Sequence, residues 1–257
     1  SVALVPTMGA LHEGHLSLIN RARQENDLVV CSIFVNPTQF NDPQDLARYP
    51  RPIESDIEKL KGAECNILFL PEVAEMYEEG EKWQMDLHGL DTILEGKIRP
   101  GHYQGVTQIV KKLFDTVKPD KAYFGQKDYQ QTIVITELVR QFEIPVNVIM
   151  CPIVRENDGL AMSSRNVYLS EIEHNQALVL SQALKLTQDQ FPINSIADIK
   201  HQVNHLLKNS EGVCLEYFEI CDGRTLLPVI SKDERSLVAL IAAKVGQIRL
   251  IDNVILQ

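Results

Sequence analysis

Over the first 150 residues, short runs rich in β-branched side chains alternate with stretches of helical spacing, the pattern of βαβ units wrapped around a doubly wound parallel sheet. The strand candidates are Val2 to Val5, Leu28 to Val35, Asn66 to Leu70, Lys121 to Phe124 and Pro145 to Met150. Between the third and fourth, Val106, Ile109, Val110, Leu113, Phe114 and Val117 recur at i, i+3, i+4, i+7, i+8 and i+11, one apolar face of a helix. Lys118-Pro119-Asp120 is expected to end it, because proline has no amide hydrogen to continue the ladder. The last hundred residues change character. Helical patterns at Glu171 to Gln190 and Ser195 to Lys208 precede strand patterns at Cys214 to Cys221, Leu237 to Lys244 and Gln247 to Ile255, with no helix between the strands. That order predicts a smaller α+β domain, so the expected division is residues 1–153 and 154–257.

Composition narrows the function without choosing it. Hydrophobic residues make up 44% and charged residues 23% of 257, an ordinary globular mix with no low-complexity segment. The net charge of −10 divides as −7 before residue 154 and −3 after it, so neither half carries the basic stripe of a nucleic-acid binder. No apolar run approaches the roughly 18 residues of a membrane span. Cys31, Cys65, Cys151, Cys214 and Cys221 form no C-x-x-C pair, an odd set that suggests a reducing, cytoplasmic setting. Ser1 is not an initiator methionine although a strand pattern already begins at Val2, so a preceding segment is expected.

Chemistry concentrates where strand patterns end. The first runs into Pro6-Thr7-Met8-Gly9-Ala10-Leu11-His12-Glu13-Gly14-His15, and Leu11, Leu18 and Ala22 then share a helical face. This places His12 and His15 in the first turn of a helix that follows a parallel strand, where unpaired amides and the dipole favour phosphate. Three residues apart, the two imidazoles point to one side. The G-x-x-x-x-G spacing from Gly9 to Gly14 lacks the lysine and hydroxyl of a P-loop, since His15-Leu16 follows. The dinucleotide fingerprint and the zincin H-E-x-x-H spacing are absent as well.

Three further segments are candidates. Asn36-Pro37-Thr38-Gln39-Phe40 leaves the second strand with two carboxamides that could bind a polar substrate, or with an ordinary Asn-Pro turn. Gly125-Gln126-Lys127-Asp128-Tyr129-Gln130-Gln131 leaves the fourth, and Lys127 there could neutralise charge on a transferring phosphate. Beyond the expected boundary, Asp158-Gly159-Leu160-Ala161-Met162-Ser163-Ser164-Arg165-Asn166 groups two hydroxyls and a guanidinium, a compact donor set for phosphate oxygens or a plain turn. Glu54-Ser55-Asp56 could lend a carboxylate to a magnesium nucleotide, or could be an acidic helix start. His201 and His205 lie opposite the stripe Ile196, Ile199, Val203, Leu206 and Leu207 and are expected on the surface, as is the acidic group Glu72, Glu75, Glu78, Glu79 and Glu81.

The His-x-Gly-His turn and the later Met-Ser-Ser-Arg loop resemble paired signatures of the nucleotidyltransferase superfamily. PTMGALHEGH, FVNPTQF, DLARYPR, RPGHYQGV, FGQKDYQQ and DGLAMSSRN, in that order from Pro6 to Asn166, resemble the pantoate–β-alanine ligases more closely. The resemblance implies a Rossmann-like catalytic domain with a C-terminal lid. It also implies a reaction in which ATP adenylates pantoate with loss of pyrophosphate, and β-alanine then displaces AMP to give pantothenate. By the same resemblance Met8, Gly9, Ala10, Leu11, His12, Glu13, Gly14 and His15 would line the ATP site, with His15 as proton donor and His12 on phosphate. Gly125, Gln126, Lys127 and Asp128 would bind the nucleotide, with Val154, Met162, Ser163, Ser164 and Arg165 completing its site from the second domain. Gln39 and Gln131 would hold pantoate, Gln39 would also meet β-alanine, and Asp56 would neighbour Mg2+. A homodimer joined through the N-terminal domain is implied too.

Three positions depart from the commoner family pattern: Gln126 for Glu, Thr38 for Met or Leu, and Ser55 for one of two adjacent acids near the metal. Adenylation needs no covalent enzyme nucleophile, only an anionic carboxylate held in line with the α-phosphate while cations absorb charge, which suits these residue types. A cofactor-precursor nucleotidyltransferase would share the His-x-Gly-His turn but would not need the Gln39 and Gln131 pair. A nucleotide-binding module without turnover would not depend on Lys127.

Overall fold

The computed structural model describes residues 1–233 and 236–256, and these form two compact units that divide between residues 152 and 153. The first unit contains β1 (Val2–Thr7), α1 (Glu13–Glu25), β2 (Leu28–Ile33), α2 (Pro43–Arg48), α3 (Ile53–Gly62), β3 (Ile67–Phe69), α4 (Val73–Met76), α5 (Leu94–Ile98), α6 (His102–Val117), β4 (Lys121–Gly125), α7 (Tyr129–Gln141) and β5 (Asn147–Cys151). All five strands are parallel, in the order β3-β2-β1-β4-β5, a Rossmann-like sheet. One face is covered by α1 and α3, where Ala3, Val5, Cys31, Ile33 and Tyr123 pack against Leu18, Ile19, Ala22 and Leu60. The stripe on α6 is buried as its spacing requires. That helix ends at Val117, with Lys118 left-handed at φ 50° before Pro119.

This strand order reverses direction between β1 and β4. Chains leaving the carboxyl ends of those strands diverge to opposite faces and open a crevice, the usual ligand position in open α/β sheets. The segment 8–12 after β1 and the segment 126–128 after β4 flank that point.

The second unit contains α8 (Glu171–Gln190), α9 (Ile196–Lys208), β6 (Val213–Asp222), β7 (Leu237–Val245) and β8 (Ile248–Leu256). Its strands form an antiparallel sheet in the order β6-β7-β8. Ala177, Leu180, Leu184, Ile199 and Val203 of the two helices pack on Phe218, Ile220, Ala239, Ile241 and Leu250 of the sheet. Ser170 caps α8, taking the Glu173 amide while the Glu173 carboxylate receives the Ser170 amide. His201 and His205 are exposed, and all five cysteines are free thiols. Among the described residues no helix is long and apolar enough to cross a membrane.

Candidate active site

The turn after β1 is held from below by its own strand and from the side by α3. Thr7 Oγ1 donates to Ser32 O at 2.7 Å and accepts the Gly9 amide at 3.2 Å. Gly9 is left-handed at φ 78°, and a β-carbon there would lie 3.0 Å from Asp56 Oδ2 and from Ile33 Cγ2, so glycine is needed for both reasons. The amides of Ala10 and Leu11 donate to the two oxygens of Asp56, each at 2.8 Å. Lys59, one turn along α3, donates to Leu11 O at 2.7 Å. Asp56 is 1% exposed. Both of its oxygens are engaged by main-chain amides in a buried position, so Asp56 braces the turn. Ser55 next to it then removes nothing that this brace requires.

The two histidines cap α1 reciprocally. His12 Nδ1 accepts the Gly14 amide at 3.1 Å, and His15 Nδ1 accepts the His12 amide at 3.3 Å. An amide can only donate, so each Nδ1 carries a lone pair and the proton of each neutral ring sits on Nε2. The ring centroids are 4.0 Å apart. Burial, then the charge of Lys127, pushes His12 down to about 4; burial, then His12 and Lys127, holds His15 well below 6.5. At neutral pH the site offers two N–H donors rather than two cations. The charge of Lys127 thus acts on both rings, although these residues are more than a hundred positions apart in sequence. Glu13 and Gly14 occupy the first turn of α1, with Glu13 exposed.

After β2, a 3-10 turn at Pro37–Gln39 is capped by Asn36, whose Oδ1 accepts the Thr38 amide and the Tyr77 hydroxyl. Asn36 Nδ2 donates to Gln39 Oε1 at 3.2 Å and to Gly105 O at 3.1 Å. Gln39 Nε2 meets the sulfur of Met8 at 2.9 Å, which joins the ends of β1 and β2. Thioether sulfur is a weak acceptor, so that amide keeps donor capacity for a ligand.

After β4, Gly125 has ordinary backbone angles, and a β-carbon there would meet nothing within 4 Å. Its bare Cα faces open space rather than the protein's own packing. Gln126, Lys127 and Asp128 form a single 3-10 turn, with the Lys127 ammonium 3.6 Å from the Asp128 carboxylate. The two glutamines that follow differ in kind. Gln130, 2% exposed, takes the Glu95 amide and donates to Leu90 O and Ile93 O, so it fastens the segment before α5. Gln131 keeps part of its surface exposed.

In the second unit Val154 and Met162 face each other across a hairpin, with the Met162 amide donating to Val154 O at 3.0 Å. Between them Arg155 grips Asp252 through two bonds of 2.6 and 3.0 Å, and the Asp252 side chain is 3% exposed. Ser163 Oγ accepts the Arg165 amide at 3.3 Å, which gives Ser163, Ser164 and Arg165 one tight turn ahead of Asn166. Asn166 returns to the hairpin through Glu156 Oε1 and Ala161 O. Sequence spacing could not reveal Asp56 and Lys59 as a clamp, because they act on a segment distant in the chain.

The family profile of the pantoate-beta-alanine ligases matches residues 1–255. The chain belongs to the pantoate-beta-alanine ligase family. Pantothenate synthetase from Bacteroides thetaiotaomicron is 48% identical over 98% of this chain and 90% of its own. That from Thermotoga petrophila is 49% identical over 100% of this chain and 92% of its own. The crystal structure of pantothenate synthetase from Thermus thermophilus superposes with a TM-score of 0.95 at 43% identity, covering 98% of this chain and 92% of that one. A Francisella tularensis pantoate-beta-alanine ligase complexed with beta-gamma ATP and beta-alanine superposes at 0.81 with 38% identity, over 98% and 88%. Membership in the pantoate-beta-alanine ligase family makes this chain a ligase enzyme of pantothenate biosynthesis, and the expectation of a Rossmann-like parallel sheet with a smaller α+β C-terminal domain holds.

Proposed function

We propose that the enzyme activates pantoate as pantoyl adenylate at the crevice between β1 and β4 and then transfers the acyl group to β-alanine. The reciprocal histidine cap carries this reading: it presents two Nε2–H donors, a donor set for phosphate oxygens, and the charge of Lys127 acts on both rings. In the first step a pantoate carboxylate oxygen bonds to the α-phosphorus of ATP, and the bond to the bridging oxygen breaks with its electron pair leaving on pyrophosphate. Lys127 opposes that charge, while His12 and His15 donate to the phosphates, His15 as proton donor. In the second step the β-alanine amine attacks the acyl carbon, AMP leaves, and the nitrogen sheds a proton. Gln39, anchored through Oε1 with Nε2 still able to donate, and the part-exposed Gln131 hold pantoate, and Gln39 also meets β-alanine.

Met8 to His15 and Gly125 to Asp128 of the first unit are nucleotide contacts in this reading, as are Val154, Met162, Ser163, Ser164 and Arg165 of the second unit. Asp56, with one amide on each oxygen and further lone pairs left, would neighbour the Mg2+ that accompanies ATP, and no step is routed through the ion. A homodimer joined through the first unit and cytoplasmic residence complete the reading, the former open to analytical ultracentrifugation. Labelled pyrophosphate should exchange into ATP only when pantoate is supplied, without β-alanine. Exchange indifferent to pantoate overturns the proposal.

A further inference from the structure

The block Arg99-Pro100-Gly101-His102-Tyr103-Gln104-Gly105 contributes nothing to the proposed site directly, yet it is built against it. Gly101, left-handed at φ 81°, starts α6 and sets His102 and Gly105 one turn apart on the side that meets the Pro37–Gln39 turn. A β-carbon on Gly105 would lie 2.4 Å from Thr38 O and 2.7 Å from the Gln39 amide nitrogen, so helix and turn touch backbone to backbone. His102, 5% exposed, places Nδ1 2.8 Å from the main-chain carbonyl of Gln39. Its Nε2 lies 3.2 Å from an Arg99 guanidinium nitrogen, and the other terminal nitrogen of Arg99 reaches the same Gln39 carbonyl at 3.4 Å.

The partners settle the proton. A carbonyl only accepts, so Nδ1 carries the hydrogen; a guanidinium only donates, so Nε2 carries the lone pair. Burial first, and Arg99 second, pushes His102 down to about 4. The ring is thus a neutral bridge with one donor and one acceptor, both used. Gln39 is held at its carbonyl by His102 and Arg99, at its main-chain amide by Asn36 O, at its Oε1 by Asn36 Nδ2, and at its Nε2 by the weak acceptor Met8. The weakly held group is the one turned toward Met8 and the nucleotide turn.

We propose that His102, backed by Arg99, is a positioning residue for pantoate activation: by fixing the Gln39 carbonyl it aims the Gln39 carboxamide at the substrate. The inference rests on Gln39 as a pantoate contact. A misplacement of about 1 Å in such a group can reduce turnover roughly a hundredfold. A purely structural bond would affect all substrates alike.

The test is steady-state kinetics on the full chain with ATP and pantoate varied separately, for His102→Ala, His102→Asn, Arg99→Met, Gln39→Ala and the His102→Ala/Gln39→Ala pair. Asparagine places an amide N–H close to the position of Nδ1. His102→Ala should lower kcat/KM for pantoate about ten- to a hundredfold while the KM for ATP stays within about twofold, by the same positional argument. His102→Asn should recover most of the loss, and Arg99→Met, which leaves the imidazole in place, should show a smaller pantoate defect. In the Gln39→Ala background, His102→Ala should cost less than about threefold more, because the group it aims has gone. Full additivity in the pair overturns the inference, as do equal changes in the ATP and pantoate parameters or an asparagine variant no better than alanine. If His102→Ala does not fold, the Arg99 and asparagine variants still decide it. Failure of the underlying reading is distinct: a Gln39→Ala enzyme with unchanged pantoate kinetics removes the premise and overturns both.

Discussion

Replacing Asp56 by Asn keeps the size of the side chain and removes its charge, which separates a brace from a metal ligand. Two main-chain amides, Ala10 and Leu11, donate to separate carboxylate oxygens at 2.8 Å in a position 1% exposed. Asparagine can accept one of them. Its NH2 group then faces the other amide, donor against donor, with no water to relieve the clash. A lost bond to a charged group costs about 1.5–3 kcal/mol and a stranded buried donor about 1–3 kcal/mol, so Asp56→Asn should destabilise the protein by about 2.5–6 kcal/mol. For a chain of this size that corresponds to roughly 5–24 °C in Tm. Calorimetry without nucleotide or metal reads it directly. Activity should fall as well, since the displaced turn carries His12 and His15. A metal ligand behaves oppositely: without metal it is a buried charge whose removal leaves Tm unchanged or raises it, and the variant loses magnesium dependence instead. A metal-free Tm equal to or above that of the unaltered protein refutes the brace.

Lys127→Ala should reduce pantoate-dependent pyrophosphate exchange about a hundred- to a thousandfold, with Tm within a few degrees, because its contact with Asp128 at 3.6 Å is part-exposed; exchange within tenfold of the unaltered enzyme would count against it. His12 and His102 titrate near 4 in the folded chain against 6.5 when unfolded, so the unfolded chain binds more protons between those values. Stability should therefore be intact above about pH 6.5 and fall as pH drops toward 4, and His102→Asn should flatten part of that fall in urea titrations. Arg155→Ala removes the cation paired with the buried Asp252 carboxylate and should cost about 3 kcal/mol, whereas replacing both with apolar residues should recover much of it; a pair of equally damaged variants would contradict that account.

The elements of both sheets were legible because their residues answer to local rules. β1 and β4 are apolar runs that end at polar turns, α6 has a single stripe, and α8 opens on Ser170 with Glu173 three residues on. Strand ends moved by one or two positions, as with β2 ending at Ile33 rather than Val35, because the ladder stops where the chain must turn into the Asn36 cap. The histidine pair and Lys127 were visible as chemistry at strand ends. Their partners were not. Asp56 and Ala10 are separated by 46 residues, and His102 and Gln39 by 63, so only the tertiary fold reveals that an acidic helix start is a brace and a helix-start histidine a bridge. Gln130 and Gln131 look equivalent in sequence; the rotation of α7 buries one and leaves the other part-exposed.

The histidine cap on α1 has a bearing on which ions can poison this crevice. A transition metal binds imidazole through a lone pair, and here each available ring nitrogen carries a hydrogen while each lone pair is covered by an amide. To coordinate at Nε2, a ring must shift its proton to Nδ1, which then confronts the amide it used to receive. Capture of zinc or copper would thus unfasten the first turn of the helix, and the tautomer proposed to donate to phosphate would also screen the site against soft cations.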